Sequence, residues 1–332
     1  MDFAELASMA GAHAEARALQ IALKLGVFEA LAKAPAAAAD LARALGADSR
    51  AIEILAAAIA ALDLLELADG RYHLNPAARR FLVQASPEYL GGMILFDEAI
   101  FPLWAKLEDA VRSGRPVRTP DMFQNKPEET ERFIRAMDSL VRARGDARWV
   151  AEHLDLRGAR TIADLGGGPG TYLAALLSAH PAAAGQLWDL KPSLEVARRL
   201  LAEREPAAAA RITPRPVDYL TGELPGPVDA IFMSNIIHSE TAAVNAELMR
   251  RCFRSLAPGG TIIIKDHVMN RELTRPRAGA VFSLYLLLVT HGRDYSFQEI
   301  AGWLGAAGFD APRRHDLPSP PFSSSMVIAV RP

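Results

Sequence analysis

The chain is 332 residues long, and half of its residues are hydrophobic while 23% are charged. This length predicts two domains, or one large domain with an appendage. A formal net charge of −2 excludes the strong positive field that draws proteins to nucleic acid or to anionic membranes. The single cysteine, Cys252, excludes an internal disulfide and any cysteine-rich zinc or iron–sulfur site.

No segment of the sequence is typical of a targeting signal or a membrane span. The N-terminus carries acidic residues and no long apolar core, so we do not expect a secretory signal peptide. The apolar stretch from Val281 to Val289 is about nine residues long, whereas a helix that crosses a bilayer needs roughly twenty. We therefore expect a soluble, cytoplasmic protein with no membrane partner.

Amphipathic patterns predict helices at the start of the chain. Residues 13–34 place apolar side chains at three- and four-residue spacing, which is typical of one helix. Residues 40–67 predict a short helix, a turn at Gly46 and a second helix that begins at a cap formed by Asp48 or Ser49.

A hairpin and further helices follow. Residues 66–75 read as two short strands joined at Asp69-Gly70, a strong hairpin signal. Helices followed by a hairpin predict a winged helix. Residues 77–150 predict more helices. The breaks are expected at Pro87, Gly91-Gly92, Pro102 and a loop around residues 113–120.

After Gly158 the sequence alternates between strands and helices, which predicts a doubly wound parallel sheet with ligands at the carboxyl ends of its strands. The predicted helices cover residues 171–180 and 193–204. The predicted strands cover residues 161–168, 186–190, 211–219, 228–237, 261–269 and 324–331.

A glycine-rich turn after the first of these strands carries the clearest chemical signal. Asp164 ends the strand, and glycines follow at Gly166, Gly168 and Gly170. Glycines at this point let the backbone approach a ligand where a Cβ would clash. The second strand ends at Asp189, where a carboxylate can accept hydrogen bonds from two ribose hydroxyls.

Several ligands compete for such a turn. A P-loop requires Gly-Lys-Ser/Thr, which this chain lacks, and a dinucleotide-binding turn requires a glycine where Thr171 stands. The carboxylate of Asp164 would repel a pyrophosphate but attract a ligand with an α-amino group. S-adenosylmethionine (SAM) has an adenosine, an amino acid and a sulfonium charge, and it fits best. An ordinary tight turn without a ligand is the alternative.

The Asp-Leu-Gly-Gly-Gly-Pro-Gly turn together with Asp189 resembles the first two motifs of class I SAM-dependent methyltransferases. With the winged helix in front, the chain resembles the two-domain O-methyltransferases of the caffeic acid and hydroxyindole type and their bacterial relatives in secondary metabolism, from about residue 10 to residue 330. The resemblance implies an α/β, Rossmann-like methyltransferase sheet preceded by a mostly helical winged-helix dimerisation domain. The implied limits are 1–105 for the dimerisation domain, 106–150 for a helical linker that contributes to the substrate pocket, and 151–332 for the SAM-binding domain.

The resemblance also implies contacts to the cofactor SAM. Asp218 and Tyr219 fall where the family contacts the adenine, and Ser234 falls where it contacts the methionyl part. The last strand, Met326 to Arg331, is expected to run antiparallel. The predicted cofactor-binding residues are Asp164, Gly166, Gly168, Gly170, Asp189, Leu190, Asp218, Tyr219 and Ser234.

By the same resemblance, His238 takes the place of the family's catalytic histidine, and Asp266 and Asp294 take the places of the carboxylates that flank it. This chain has His-Ser-Glu where the plant enzymes have His-Asp-Trp, and aspartates where they have glutamates. A phenol has a pKa near 10 and a free histidine one near 6.5, so proton transfer between them in water is uphill by roughly 5 kcal/mol. A carboxylate that stabilises the imidazolium reduces this difference, so a histidine with a flanking acid is a sensible pair. A histidine at a strand end can also be merely packed, and we predict no metal here because metal-ligand spacings are missing.

Specificity is expected to come from apolar residues above the base, suited to an aromatic or polyketide-like acceptor. Simple core packing is the alternative for each of them. The predicted substrate-binding residues are Met93, Phe96, Trp104, Phe133, Met137, Phe282, Tyr285 and Val289.

The winged helix also raises the possibility of DNA binding. A recognition helix should carry several Arg, Lys, Asn or Gln side chains, but residues 49–65 carry only Arg50 among alanines and aliphatic residues. We therefore expect no nucleic-acid partner. The resemblance instead implies an intertwined homodimer whose N-terminal helices contribute to the partner's substrate site.

The sequence thus predicts a SAM-dependent methyltransferase that acts on a small, phenolic hydroxyl group. Three alternatives stay open: methylation of carbon or nitrogen, a SAM-binding enzyme that catalyses another reaction, and a non-enzymatic regulator built on the winged helix.

Overall fold

The computed structural model describes residues 1–318 and 324–332. The chain divides into two compact units, one formed by residues 1–101 and 135–143 and the other by residues 102–134 and 144–332. The predicted linker, 106–150, therefore contributes residues to both units. Within the described residues, every helix is too short or too polar to span a membrane.

The chain is mostly helical up to residue 153, and strands and helices alternate along most of the rest. The helices are α1 (Phe3–Leu25), α2 (Val27–Lys33), α3 (Ala38–Leu45), α4 (Ser49–Ala61), α5 (Pro76–Phe81), α6 (Gly91–Trp104), α7 (Leu107–Ser113), α8 (Pro127–Arg144), α9 (Asp146–His153), α10 (Thr171–Ala179), α11 (Lys191–Arg204), α12 (Pro206–Ala209), α13 (Ala242–Ser255), α14 (Arg277–Val289) and α15 (Phe297–Ala307). The strands are β1 (Leu65–Ala68), β2 (Arg71–Leu74), β3 (Thr161–Leu165), β4 (Ala184–Asp189), β5 (Ile212–Pro216), β6 (Val228–Ser234), β7 (Leu256–Asp266), β8 (Asp310–Asp316) and β9 (Ser325–Val330).

The first unit contains the predicted winged helix. Helices α3 and α4 are joined at Gly46, the side chain of Asp48 caps α4, and β1 and β2 form an antiparallel hairpin around Asp69-Gly70. These predictions are confirmed. The single helix predicted over residues 13–34 is wrong, because Gly26 has a φ of 85° and separates α1 from α2. A left-handed glycine is a common helix end.

Two expected helix breaks are also wrong. Gly91-Gly92 begins α6 instead of breaking a helix, and a Cβ on Gly92 would lie 2.8 Å from the Cβ of Ser139, so the glycine permits close packing against α8. Pro102 lies inside the last turn of α6. Near the end of a helix, the hydrogen bond that a proline removes is less costly than ending a helix whose inner face, with Phe96 and Ile100, is already buried.

A seven-stranded sheet forms the centre of the second unit, with the strand order β5-β4-β3-β6-β7-β9-β8. The neighbours from β5 to β7 pair in parallel, and β9 is antiparallel to both β7 and β8. The predicted parallel sheet and its antiparallel last strand are thus confirmed. Strand β8 was not predicted, because most of its residues are exposed and polar. The carboxyl ends of β3, β4, β6 and β7 lie on adjacent strands, where this fold class places its ligands.

Candidate active site

The turn after β3 consists of a buried acid, Asp164, and the glycines that follow it, and it is called the glycine cradle below. Gly166, Gly168 and Gly170 all have positive φ, at 64°, 52° and 78°, a region that favours glycine. A Cβ on Gly166 would lie 2.2 Å from the side chain of Ile236. The turn after β3 therefore packs directly against the segment that follows β6.

Asp164 is the acid of this cradle. Its side chain is buried, and no hydrogen bond of ordinary geometry reaches either carboxylate oxygen within the described residues. Burial, followed by the negative charge of Asp189, raises the pKa of Asp164 to about 8. A buried carboxyl with only a weak contact to the backbone of Leu173 is costly, and a ligand ammonium group would supply a strong partner. The turn therefore fits the amino-acid part of SAM.

Asp189 and Leu190 close the other side of the cradle. One carboxylate oxygen of Asp189 accepts a hydrogen bond from the N–H of Gly168 at 2.8 Å, and the other accepts one from the N–H of Leu190 at 2.7 Å. Burial raises the pKa of Asp189 despite these bonds. The two amides fix this carboxylate at the end of β4.

The predicted adenine residues follow β5. Asp218 is exposed, and its carboxylate is held by the N–H of Leu220 and the hydroxyl of Thr221. The hydroxyl of Tyr219 donates to Oε1 of Glu240 at 2.9 Å. Burial and the charge of Glu240 raise the pKa of Tyr219 well above its usual value. This tyrosine–glutamate pair was not predicted, and it involves the residue that replaces the family's tryptophan.

The end of β6 leads directly to the predicted base. Ser234 is the last residue of β6, and its hydroxyl is buried with no hydrogen-bond partner among the described residues. Asn235 has a φ of 59° and donates its N–H to the carbonyl of Lys265 at 2.9 Å. Asparagine tolerates this left-handed conformation better than most residues. The chain then enters a 3-10 turn, Ile237–Ser239, that carries His238.

The structure brings His238, Asp266 and Asp294 together, and all three are buried. Nδ1 of His238 forms a hydrogen bond with Oδ1 of Asp266 at 2.8 Å, and Oδ1 of Asp294 lies 3.8 Å from the same nitrogen. Asp266 also accepts the N–H of His267 at 2.9 Å. Asp266 therefore orients the imidazole directly, and Asp294 is the more distant of the two carboxylates.

Burial and charge act in opposite directions on these groups. Burial lowers the pKa of His238, but the nearby negative charges of Asp266 and Asp294 outweigh it, so the pKa of His238 is raised. Burial pushes the pKa of Asp266 up, yet its contact with His238 leaves that pKa below the usual value. Burial raises the pKa of Asp294. The site therefore favours an ionised Asp266 beside the histidine.

Two residues that the sequence did not reveal hold the histidine turn in place. The side-chain amide of Asn245 in α13 donates to the carbonyl of Ile237 at 2.8 Å. A Cβ on Gly292 would lie 2.2 Å from the carbonyl oxygen of His238 and 2.6 Å from the nitrogen of Glu240. The segment that carries Asp294 can therefore approach this turn only with a glycine at position 292. Neither contact has a local sequence signal.

The residues predicted to bind substrate fall into three groups. The ring of Phe282 contacts that of His238 edge-on, with centroids 5.3 Å apart, and Phe282, Tyr285 and Trp104 form a chain of ring contacts. Phe133 stacks on Phe123, and Val289 packs in a small core with Ala110. The remaining three, Met93, Phe96 and Met137, belong to the first unit.

The spacing of the His238 cluster does not by itself require a metal. Its ligand-type atoms all lie within 4.8 Å of one another. The shortest separation, between His238 and Asp266, is that of an ordinary hydrogen bond. The absence of a metal from the reaction stays a prediction.

Comparison with known proteins agrees with this geometry. Residues 7–84 match the O-methyltransferase dimerisation domain, and residues 104–310 match the O-methyltransferase domain. The 3-hydroxy-5-methyl-1-naphthoate 3-O-methyltransferase of Streptomyces sahachiroi is 34% identical over 310 residues, which cover 91% of this chain and 88% of that protein. The N,N-dimethyltransferase OxyT of Streptomyces rimosus is 28% identical, over 98% of this chain and 96% of its own length.

A solved structure shows the same fold with a product of SAM bound. PigF with S-adenosylhomocysteine (SAH) superposes with a TM-score of 0.89 at 25% identity, covering 99% of this chain and 100% of that chain. The dimerisation domain supports a homodimer. The chain belongs to the SAM-dependent O-methyltransferase family, with a dimerisation domain followed by the catalytic domain.

Proposed function

We propose that the protein methylates a phenolic hydroxyl of a small, natural-product-like aromatic acceptor, with His238 as the general base. The observation that carries this proposal is the hydrogen bond between Nδ1 of His238 and Asp266. Because Nδ1 is engaged, Nε2 is the nitrogen available to accept the hydroxyl proton. The relative that acts on a hydroxynaphthoate supports an aromatic acceptor.

The electrostatics around His238 favour this proton transfer. The transfer from a phenol to a free imidazole is uphill by roughly 5 kcal/mol in water. The carboxylate of Asp266 stabilises the imidazolium that forms and so reduces this difference. Asp294 adds a second carboxyl on the same side of the imidazole. We assign Asp266 the orienting role and Asp294 a supporting one.

The glycine cradle would hold the cofactor. When bound, SAM supplies a methyl group on a positively charged sulfur. Asp164 would pair with the α-amino group, Asp189 and Leu190 would hold the ribose, and the residues that follow β5 would contact the adenine. The buried, unpartnered hydroxyl of Ser234 supports a contact to the methionyl part. Gly166, Gly168 and Gly170 would allow the backbone to approach the ligand, and Asp218 and Tyr219 are the residues that follow β5.

The aromatic residues beside His238 would bind the acceptor. Phe282 contacts the base, and Tyr285 and Trp104 extend the ring cluster, a lining that suits a flat aromatic molecule. The proposed acceptor-binding residues also include Met93, Phe96, Phe133, Met137 and Val289, whose support is the apolar pattern of the sequence. Phe133 and Val289 also have packing partners of their own.

We further propose that the homodimer is intertwined and that its N-terminal helices contribute to the partner's substrate site. The first turns of α1 expose Phe3, Leu6 and Met9, with 86%, 55% and 48% of their surface accessible. Large apolar side chains exposed along one helix mark a protein interface. Light scattering should give a mass of two chains, and a monomer would contradict the proposal.

Methylation of nitrogen is the second candidate, because the relative OxyT is an N,N-dimethyltransferase. An amine that is already neutral needs alignment more than a strong base. Replacing His238 by Ala separates the two candidates. We expect turnover of a hydroxynaphthoate acceptor to fall by about 10²- to 10⁴-fold while SAH still binds, and His153→Ala, at an exposed histidine, serves as the matched control. Nearly normal turnover by His238→Ala would remove the general base from the mechanism.

A further inference from the structure

A buried lysine lies next to the carboxylate that orients the base. Neither the side chain of Lys265 nor that of Asp146 has any exposed surface, and Nζ of Lys265 lies 2.9 Å from Oδ2 of Asp146. The same oxygen accepts a hydrogen bond from the hydroxyl of Tyr172 at 2.8 Å and lies 2.7 Å from Nε of Arg144. Three groups thus converge on one carboxylate oxygen.

The cluster carries more positive than negative charge. Arg144 and Lys265 are cations, and Asp146 is the single carboxylate among the four residues. Burying an unbalanced charge is costly, and the ring of Tyr172, 5.2 Å from Nζ, offsets only part of this cost. The residue that follows Lys265 is Asp266, whose contact with His238 keeps its pKa low. Lys265 and Asp266 therefore place a buried cation and a buried carboxylate on consecutive residues at the end of β7.

Besides Arg144 at the end of α8, the cluster joins three further elements of the second unit. Asp146 is the first residue of α9, Tyr172 is the second residue of α10 after the glycine turn, and Lys265 precedes the last residue of β7. Successive residues of a strand point to opposite faces of the sheet, so Lys265 holds β7 from the face opposite Asp266. The backbone of Lys265 also accepts the N–H of Asn235, at the start of the histidine turn.

We propose that Lys265 is a positioning residue for the base: held by Asp146, it fixes the end of β7 from which Asp266 reaches His238. Its charge also limits how far the two nearby carboxylates favour the protonated imidazole. The second half of this proposal rests on the role of His238 proposed above. The first half concerns only the folded protein.

The charges around His238 show in which direction Lys265 changes the pKa of the imidazole. Burial lowers the pKa of His238, the two carboxylates raise it, and Lys265 opposes them. Without Lys265, a larger fraction of the imidazole would already carry a proton at neutral pH and could not accept one from the substrate hydroxyl. The charged and titratable groups described near His238 come from four segments: Lys265 and Asp266 from β7, His267 after it, Asp294 before α15, and Glu240 from the loop of the histidine itself. Helix α14 contributes only an aromatic contact, the ring of Phe282.

The test is the pKa of His238 in the ligand-free full-length protein, measured by NMR with histidine labelled at Cε1. The His238→Asn variant identifies its signal among the eight histidines. Lys265→Met removes the charge and keeps most of the volume, and Lys265→Arg keeps the charge and changes the shape. With an effective dielectric near 20, removing one nearby unit charge shifts the pKa of a buried group by roughly one unit.

We expect Lys265→Met to raise the pKa of His238 by about one unit, and Lys265→Arg to return it most of the way to the wild-type value. A Lys265→Met protein that melts at a lower temperature but titrates like the wild type would overturn the proposal, because the lysine would then be only structural. The measurement needs neither SAM nor acceptor, so its failure is distinct from a failure of the proposed reaction.

A milder variant keeps the proposal testable if Lys265→Met does not fold. Tyr172→Phe removes one hydroxyl from the cluster and retains the ring that packs on Phe232. Because the charge of Lys265 is kept, we expect the titration of His238 to change in this variant only through the position of β7, and no change would contradict the positioning half of the proposal. Ser255→Ala is the matched control, since it removes one buried hydroxyl bonded to the carbonyl of Leu224, and it should leave the titration unchanged.

Discussion

Asp164→Asn is the most informative single change in the cofactor site. In the ligand-free protein the pKa of Asp164 is raised to about 8, first by burial and then by Asp189. At pH 7 only about one carboxyl in eleven is therefore ionised. A cationic α-amino group would stabilise the ionised form, so binding should expel the proton from Asp164. Asparagine has nearly the same shape and no proton to release.

These values give a quantitative expectation for SAH. Binding should release roughly 0.9 protons at pH 7 and about 0.1 at pH 9. The affinity should rise nearly tenfold from pH 6 to pH 7 and level off above pH 8. Asp164→Asn should abolish this release and weaken binding by roughly 10- to 100-fold, because it replaces a hydrogen bond between two charged groups by one to a neutral amide.

Isothermal titration calorimetry in buffers of different ionisation enthalpy measures the released protons directly. Asp229→Asn is the matched control, since Asp229 accepts backbone hydrogen bonds from Arg160 and Thr161 at the opposite end of β3. The control should release protons like the wild type. If the wild type and Asp164→Asn released the same number of protons at pH 7, the pairing of Asp164 with the ligand would be refuted.

Three further results are expected. The pKa of Asp164 is raised in the folded protein, so this residue contributes stability that is present below pH 4 and is lost as the pH rises towards 8. The melting temperature of ligand-free Asp164→Asn should therefore exceed that of the wild type by a margin that grows from pH 5 to pH 8. A constant margin would contradict this. Gly292→Ala should lose most of its turnover, because the new Cβ would lie 2.2 Å from the carbonyl oxygen of His238, whereas Gly302→Ala, with nothing within 4 Å, should keep it. Because the pKa of His238 is raised, kcat/KM for the acceptor should increase with pH through a pKa above 6.5, and a profile that is flat from pH 6 to pH 8 would count against His238 as the base.

The parts of the structure that could be predicted have local causes. The hairpin follows from Asp69-Gly70, whose positive φ angles of 50° and 72° suit a tight turn. The cofactor cradle follows from Asp164 and the glycines after it, because close approach of the backbone leaves few other residue types possible there. Asp189 follows from its place at the end of the next strand. In each case the residues that explain the feature are neighbours in the sequence.

The parts that were missed depend on contacts between distant segments. Strand β8 is exposed and polar, so its pairing with β9 leaves no hydrophobic pattern in the sequence. The need for glycine at position 292 appears only when its segment lies against the histidine turn. The ion pair of Lys265 with Asp146 joins a strand to a helix far away in the sequence. Such partners become visible only in three dimensions.

The transfer of a labelled methyl group tests the central claim most directly. The full-length protein is incubated with SAM carrying a carbon-13 methyl group and with an aromatic acceptor that bears both a hydroxyl and an amino group, and NMR identifies the atom that receives the label. The account predicts a methyl ether, formed by the wild type and almost lost in His238→Ala. A label on nitrogen or carbon, or an ether formed equally well without His238, would contradict it.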